Sequence, residues 1–475
     1  MNGWLRRSLV ITMLAAGLGL QAGAATYYVS SSRGRDTNLG LLGAPWQTVA
    51  RVNRARFLPG DVVLFRRGDL WRETLRPGSS GAEGKVIRFG AYGTGPKPVI
   101  SGSDSEPGRL VRDVGIDNNE QSHVVYEDCD VRDVRQGLRL YSWRAQVRDV
   151  TIQNCDVTTV QSQPHGTMSA GVYASVNTGN LSGITVRDNR FTPYATGLEH
   201  WGVYFVRGVS DFRIEGNHFG PAGEDAITIW HSEHGWIGDN TGGGNGENTI
   251  DVKDSHDVVV RGNQVDNDAE YNIVVHGVDS DRLTYNVTVE QNQCRRGGQG
   301  GHLDAGIALL LVRNSVVRGN GVEGAYGSGI FVNDAAAGGG NEISLNDLHG
   351  NGIGRTTGAI SLEDVSETDI HHNHVGGQES LGYALRAQGG PHTHGIQVED
   401  NRFQSEDGKL FDVAEAAQAG FLSDHNSFYT EGGARFLWGS GEQSFVAWQQ
   451  NTGQDLHSQM LAAEPSTNTG AASVH

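Results

Sequence analysis

The sequence has 475 residues and a formal net charge of −18, and 68 of its residues are glycine. Because there is no Gly-X-Y period, this glycine content excludes collagen, and a charged fraction of only 19% disfavours intrinsic disorder. The acidic balance argues against a protein that binds nucleic acid through bulk positive charge. A composition rich in Gly, Asn, Ser, Thr and Val is typical of strands joined by turns.

Residues 1–24 have the features of a signal peptide. Arg6 and Arg7 precede an apolar segment that is too short to span a bilayer, and the small residues Ala22 and Ala24 suit cleavage. We therefore expect a secreted or periplasmic protein without a membrane anchor. In that oxidising environment, the three cysteines allow at most one disulfide bond.

Residues 25–105 are predicted to form an N-terminal cap and a first coil. A strand is followed by an amphipathic helix at about residues 46–55, a Pro-Gly turn and another strand. The open end of a repeat array exposes strand edges and needs a cover. We expect this segment to cover the N-terminal end of the repeats that follow.

Residues 106–440 contain short hydrophobic segments that recur and mostly end in asparagine. From residue 189 onward the spacings run from 23 to 29 residues, which predicts a β-solenoid of about 10–12 coils with constant strands and one variable loop. At each bend, the asparagine amide can bond the amides of the coils above and below. The recurring asparagines are Asn189, Asn217, Asn240, Asn263, Asn292, Asn320, Asn346, Asn373, Asn401 and Asn426.

Cys155 and Cys129 occupy the same position one and two coils before the first of these asparagines. Since coils stack about 4.8 Å apart, the two cysteines form either a disulfide bond or a pair of small buried thiols. We favour the thiols.

Three consecutive coils, residues 226–230, 249–253 and 272–276, align without gaps at a period of 23 residues. Because side chains alternate along a strand, the isoleucines and valines of these segments are expected to point into the core. The outward positions are Thr228, Asp251 and Val274 in one column and Trp230, Lys253 and His276 in the next.

The column that contains Lys253 has the residue types of a catalytic site. Only four of the 37 basic residues are lysines, and a lysine, unlike an arginine, can lose its proton and act as a base. The same period assigns Arg207 to this column, where Arg207 or His276 would protonate a leaving oxygen or hold a substrate carboxylate. Trp230 offers a face for a sugar ring, and Asp251 is close enough to orient Lys253.

A column of carboxylates precedes these strands. Glu224, Glu247 and Glu270 are 23 residues apart, and carboxylates stacked at about 4.8 Å repel one another unless a cation joins them. Oxygen ligands at a loop–strand junction suit Ca²⁺, with Asp225 and Asn248 as further ligands. The sequence therefore predicts a Ca²⁺ site beside the catalytic column.

Residues 441–475 are predicted to form a C-terminal cap and a disordered tail. The last residues of the chain are polar and contain no aromatic side chain that would hold them to a core.

A repeat of 23 or more residues with an asparagine ladder resembles the right-handed parallel β-helix of polysaccharide lyases and related carbohydrate enzymes. The segments ENTIDVKDSHDVVVRGN and YNIVVHG also resemble the active-site coils of the chondroitinase B and alginate lyase family, polysaccharide lyase family six. In that family a glutamate precedes the strand with the catalytic lysine, and the next coil ends in Arg-His-Gly. Glu247, Lys253 and His276 match this pattern, whereas Val275 replaces the arginine and the glutamate-to-lysine spacing is one residue longer.

The resemblance implies an all-β, right-handed parallel β-helix that cleaves an acidic, uronate-containing polysaccharide by β-elimination. Lys253 would act as the base, and Ca²⁺ would stabilise the carbanion. Arg295 and His200 are also expected to bind substrate. We expect a monomer that binds no nucleic acid.

Three other functions fit the same pattern. A C5-epimerase would form the same carbanion and reprotonate it from the other face. A glycoside hydrolase would use paired carboxylates, either Asp225 with Asp251 or Glu224 with Glu247. A non-catalytic, polysaccharide-binding surface protein would need no acid–base pair, and the fold alone does not choose among these functions.

Overall fold

The computed structural model describes residues 23–103, 112–160, 168–193, 200–278, 284–300, 305–334, 338–353, 357–377 and 382–461. The predicted signal peptide lies outside the described residues except for its last two positions. Residues 462–475, which contain the predicted tail, also lie outside them.

The described residues form a right-handed parallel β-solenoid of about twelve turns, which confirms the predicted fold class. Each complete turn contributes one strand to each of three long sheets, here called sheets 1, 2 and 3 in the order in which a turn visits them. Neighbouring strands within a sheet come from successive turns and pair in parallel, apart from one antiparallel pair at the C-terminal end.

Sheet 1 consists of Thr26–Val29, Val62–Arg66, Ile87–Tyr92, Val124–Glu127, Gln146–Gln153, Asn180–Arg187, Val209–Glu215, Glu233–Gly238, His256–Arg261, Thr284–Glu290, Val312–Arg313, Val316–Arg318, Glu342–Ser344, Ser366–His371, His394–Glu399 and Leu422–Asp424. Sheet 2 consists of Leu70–Trp71, Val99–Ser101, Asp130–Val134, Asp156–Thr159, Arg190–Pro193, His218–Phe219, Thr241–Gly243, Gln264–Asp266, Gln293–Arg295, Gly321–Glu323, Asp347–His349, His374–Gly376, Arg402–Gln404, Ser427–Tyr429 and Gln459–Met460. Sheet 3 consists of Val114–Asn119, Gln136–Ser142, Ser169–Val176, His200–Val206, Ile227–Trp230, Ile250–Lys253, Ile273–His276, Ala305–Leu310, Ser328–Asn333, Gly358–Leu362, Tyr383–Ala387, Lys409–Val413, Arg435–Trp438 and Gly441–Gln443.

The core is a continuous apolar column enclosed by the three sheets. Alternation along each strand sends one side chain in and the next one out, so that branched aliphatic residues stack on their counterparts in the next turn. The inward positions predicted from the 23-residue period are all fully buried: Ile227, Ile229, Ile250, Val252, Ile273 and Val275. Their predicted register is also confirmed, since Ile227 pairs with Ile250 and Ile250 with Ile273.

The asparagine ladder lies at the bend between sheets 1 and 2. In each step, the backbone N–H and the side-chain amide of one asparagine both donate to the side-chain oxygen of the next, as from Asn240 to Asn263, each at 3.0 Å. The same side-chain amide also donates to a strand carbonyl of the preceding turn, as from Asn240 to Ile214 at 2.9 Å. Because these groups are buried, the ladder satisfies polar atoms that water cannot reach.

The cysteine pair extends this column toward the N-terminus. The backbone N–H of Cys155 donates to the Oδ1 atom of Asn189 at 2.9 Å, as a ladder asparagine would. Cys129 and Cys155 are both buried free thiols with neighbouring sulfur atoms.

Aromatic residues and short helices lie at the two ends of the solenoid. Helix Val49–Arg54 starts at the N-cap Thr48 and buries two valines against the first turns. At the other end, helix Phe445–Thr452 places Trp448 against Phe411 and Phe436. A 3-10 turn also forms at Glu415–Ala417. Within the described ranges, none of these helices is long and apolar enough to cross a membrane.

Candidate functional site

Three neighbouring strands of sheet 3 carry polar side chains on their outer face. These strands, Ile227–Trp230, Ile250–Lys253 and Ile273–His276, pair in register, so that Trp230, Lys253 and His276 form one row. The row continues into uncharged Leu310 and Asn333. The three strands follow the connection from sheet 2, which varies in length and delivers further side chains to the same face.

Lys253 lies over the indole ring of Trp230. Its Nζ atom is 4.9 Å from the ring centroid, within the range of a cation–π contact. The indole N–H of Trp230 donates to Oδ2 of buried Asp254 at 2.9 Å, which fixes the orientation of the ring. The outer face therefore presents an ammonium group on a rigid aromatic surface.

Arg207 does not belong to this row, and its predicted position is wrong. The strand His200–Val206 pairs Val206 with Trp230, so the repeat at this point is 24 residues rather than 23. Arg207 instead lies in the turn that follows, with a positive φ of 63° and an exposed side chain. One additional residue changes the side of the sheet that a side chain faces, which is why the gap-free period failed here.

Asp251 pairs with His276 and not, as predicted, with Lys253. The Nε2 atom of His276 is 2.9 Å from Oδ1 of Asp251. Among the described residues neither atom makes a well-aligned hydrogen bond, so the contact is chiefly ionic. Burial lowers the pKa of His276, but the charge of Asp251 and its contact with the imidazole outweigh burial and raise the pKa overall. The pair favours a protonated imidazole beside Lys253.

The three glutamates stack as predicted at the entrance to these strands. The N–H of Glu247 donates to the carbonyl of Glu224 at 3.2 Å, and that of Glu270 to the carbonyl of Glu247 at 2.9 Å. Burial, a hydrogen bond with Glu224 and the surrounding negative charges raise the pKa of Glu247 to about 8. The column thus keeps a proton between two carboxyl groups near neutral pH.

The predicted ligand Asp225 lies deeper than the glutamates. Its Oδ1 atom accepts from the backbone and side-chain amides of Asn248 at 3.0 and 2.9 Å, and its Oδ2 atom accepts from the Thr228 hydroxyl at 2.6 Å. Burial and the charge of Asp251 raise the pKa of Asp225 to about 7. The hydrogen bonds of Asp225 hold the loop against the strand. Because they occupy both of its carboxyl oxygens, Asp225 is less available to a cation than the glutamates are.

Two predicted substrate-binding residues lie away from this face. His200 is buried, and its ring contacts the Thr159 hydroxyl inside the turn. Arg295 ends a strand of sheet 2, where it lines a separate groove of about 750 Å³. His200 begins its strand at a buried position and Arg295 precedes the connection to sheet 3, so neither lies beside Lys253.

Sequence reasoning missed an aromatic cluster beside the charged row. The rings of Trp201 and Tyr204 stack at 4.5 Å, and Tyr173 packs edge-on to Tyr204 at 6.0 Å. Tyr204 is the register partner of Thr228, so extending the outward column by one turn at the correct 24-residue spacing would have found it. Burial, and then neighbouring acidic and phenolic groups, raise the pKa of Tyr204 to about 12.

An apolar patch continues the same face beyond the charged row. Val274, Ala308 and Phe331 pack together there, with partly buried Tyr271 and Leu310 against them. The outer face of sheet 3 therefore carries, along the solenoid axis, an aromatic cluster, a charged centre and an apolar patch.

The NosD family, described as a periplasmic copper-binding protein, matches residues 182–386, which is less than half of the chain. No curated protein sequence matches the chain.

Several solved structures are similar in fold. The GH136 lacto-N-biosidase from Eubacterium ramulus has 14% identity and a TM-score of 0.53, with 85% of this chain and 68% of that chain covered. A mannuronic acid specific polysaccharide family 6 lyase from human gut microbiota has 14% identity and a TM-score of 0.48, over 86% of each chain. The A-module of the Azotobacter vinelandii mannuronan C-5 epimerase AlgE6 has 14% identity and a TM-score of 0.42, over 80% of this chain and 90% of that one. At these identities the comparisons concern the fold, and the chain shares the parallel β-helix of carbohydrate-active proteins.

Proposed function

We propose that this protein is a secreted or periplasmic, monomeric enzyme that cleaves a uronate-containing polysaccharide by β-elimination on the outer face of sheet 3. The observation that carries the proposal is the pairing of Lys253 with a protonation-favoured His276 in one row. An amine and an imidazole held at adjacent strand positions form a base and an acid on one surface.

The aromatic cluster supports a polymeric carbohydrate as the substrate. Sugar rings stack on aromatic faces, and the partly exposed Trp201 and Trp230 lie around buried Tyr204 on one side of Lys253. On the other side, partly buried Tyr271 and Leu310 extend the same surface over the buried residues around Phe331. A chain laid along this face would contact both groups while one sugar unit lies at the charged row.

The proposed elimination uses the amine of Lys253 as the base and the imidazole of His276 as the acid. After Lys253 loses its ammonium proton to solvent, its amine removes the C5 proton of a uronate. The C5–H electron pair forms the C4–C5 double bond as the C4–O bond breaks. His276, held protonated by Asp251, donates its proton to the departing glycosidic oxygen. A C5-epimerase would use the same first step but return a proton to C5 from the opposite face, whereas Lys253 and His276 lie on one face of the sheet.

The glutamate column is the proposed Ca²⁺ site. Glu224, Glu247 and Glu270 supply oxygen ligands at one junction, and the proton retained by Glu247 marks the charge repulsion that a divalent cation would relieve. Among the described residues, the groups of three potential ligands whose atoms all lie within 4.8 Å of one another do not include these glutamates. The glutamates would therefore have to move closer together around the ion. A bound Ca²⁺ would neutralise the substrate carboxylate beside Lys253.

Hydrolysis is the second candidate, because Glu247 keeps its proton up to a pKa of about 8, as an acid catalyst must near neutral pH. The two carboxyl groups of a glycoside hydrolase lie about 5–9.5 Å apart, so Glu224 would have to separate from Glu247 around a bound sugar chain. This pair lies on the same face as Lys253, so both chemistries would use the same bound chain.

Incubation with alginate, pectate and glycosaminoglycans, with and without a Ca²⁺ chelator, separates the candidates. Elimination gives unsaturated uronate absorbance, whereas hydrolysis gives new reducing ends without it. We expect Lys253→Ala to abolish the absorbance and Lys409→Ala, a lysine outside the row, to retain it. If both variants retain the absorbance, Lys253 is not the base.

A further inference from the structure

The outer face of sheet 2 carries a second cluster of titratable side chains, in the turns that contain Asp347–His349 and His374–Gly376. Asp347 pairs in register with His374, and His349 follows Asp347 by two residues on the same face. The three side chains therefore come from two adjacent, hydrogen-bonded strands of a rigid sheet.

Two imidazole nitrogens converge on one carboxylate oxygen in this cluster. The Oδ1 atom of Asp347 is 2.7 Å from Nε2 of His349 and 3.0 Å from Nδ1 of His374. All three potential ligand atoms lie within 4.8 Å of one another. Around a metal ion with bonds of about 2.1 Å, neighbouring ligand atoms are about 3.0–3.4 Å apart, so only small displacements would admit an ion.

The backbone leaves room for this arrangement. A Cβ atom on Gly376 would lie 3.2 Å from the Cε1 and Nδ1 atoms of His349, so glycine lets the ring cross to the neighbouring strand. The two imidazole rings then stand edge to face, with centroids 5.1 Å apart and an interplanar angle of 82°. Because the cluster is partly exposed, water can complete the coordination of a bound ion.

We propose that Asp347, His349 and His374 bind a divalent first-row transition ion such as Zn²⁺. Two nitrogens and one carboxylate oxygen suit these ions, whereas Ca²⁺ and Mg²⁺ prefer oxygen ligands. Glu323 pairs with His349 and adds negative charge, while Arg402 pairs with His374 and adds positive charge on the opposite side. The site lies on sheet 2 and is independent of the proposed chemistry on sheet 3.

The test is Zn²⁺ binding to the chelator-treated, purified chain, measured by calorimetry and by the visible absorption of bound Co²⁺. We expect His349→Asn and His374→Asn each to weaken binding at this site by at least about tenfold and to remove its Co²⁺ absorption. His371→Asn is the matched control, since His371 is a partly exposed histidine of sheet 1 outside the cluster. Circular dichroism of the metal-free variants shows whether each one folds.

A second group, Asp424, His425 and His457, also has ligand atoms within 4.8 Å and could take up ions of its own. His457→Asn therefore belongs in the same series, and it should leave the site on sheet 2 intact. Unchanged affinity and stoichiometry in both His349→Asn and His374→Asn, or a loss confined to His457→Asn, would overturn the proposal.

Discussion

Replacing Asn263 by alanine should destabilise the solenoid far more than deletion of a similar amide on its surface. Its side-chain oxygen accepts from the backbone and side-chain amides of Asn240, each at 3.0 Å. Its amide donates to the Ile237 carbonyl at 3.0 Å and to the Asn292 side chain at 2.9 Å. All of these atoms belong to the buried ladder.

The expected magnitude follows from the polar groups that the substitution leaves without partners. About three buried donors or acceptors would lose a hydrogen bond, and each costs about 1–3 kcal/mol when water cannot replace it. We therefore expect the free energy of unfolding to fall by about 3–9 kcal/mol, a large share of the typical total of about 5–15 kcal/mol.

Urea unfolding followed by far-ultraviolet circular dichroism measures this loss. Gln264→Ala is the matched control, because it removes a similar amide from the next residue in the same turn, on the exposed face of sheet 2. We expect the control to change stability by no more than about 0.5 kcal/mol. If the two variants unfold at the same urea concentration, the ladder contributes no more than a surface amide and the reasoning is wrong.

Three further predictions concern the core and the candidate site. Gly235→Ala would drive a Cβ atom into the ring of buried Phe212. We expect the free energy of unfolding, measured in urea, to fall by about 1–3 kcal/mol. If the double variant with Phe212→Leu recovers none of this loss, the steric explanation is wrong. Asp251→Asn should lower the pKa of His276, because it removes the charge that raises it; an unchanged NMR titration would exclude that coupling. Glu247 has a pKa of about 8 in the folded protein and therefore binds its proton more tightly there than in the unfolded chain. In the presence of a chelator, the free energy of unfolding should therefore fall as the pH rises from about 5 to about 8. Solvent screening of this half-exposed group limits the change to about 1–2 kcal/mol, and Glu247→Gln should remove it; parallel pH profiles for the two proteins would refute the assignment.

The repeat could be predicted from sequence because one residue per turn performs the same physical task. A buried asparagine at each bend satisfies the same backbone groups every time, and the alternation of Ile250 and Val252 follows from strand geometry alone. The register of Lys253 and His276 was predictable because three turns happen to have equal length.

The errors arose where turn length or strand geometry departs from that period. Arg207 is displaced because its turn has one additional residue, and Arg295 belongs to a different sheet from the one that carries Lys253. His200 starts its strand with its ring inside, a position that alternation across the irregular loop before it does not reveal. The partnership of Asp251 with His276 depends on side-chain orientation, which strand periodicity does not specify.

The regular ladder has a consequence for how this surface can change. Consecutive ladder asparagines are separated by 23 to 29 residues. The side-chain amide of each nevertheless donates to the side-chain oxygen of the next at 2.9 to 3.1 Å, so the bend has the same geometry in every turn of the ladder. A residue inserted between sheets 2 and 3 is therefore absorbed before the next bend and does not shift later turns. The side chains at each position along the outer face can therefore change without altering the geometry of the neighbouring turns.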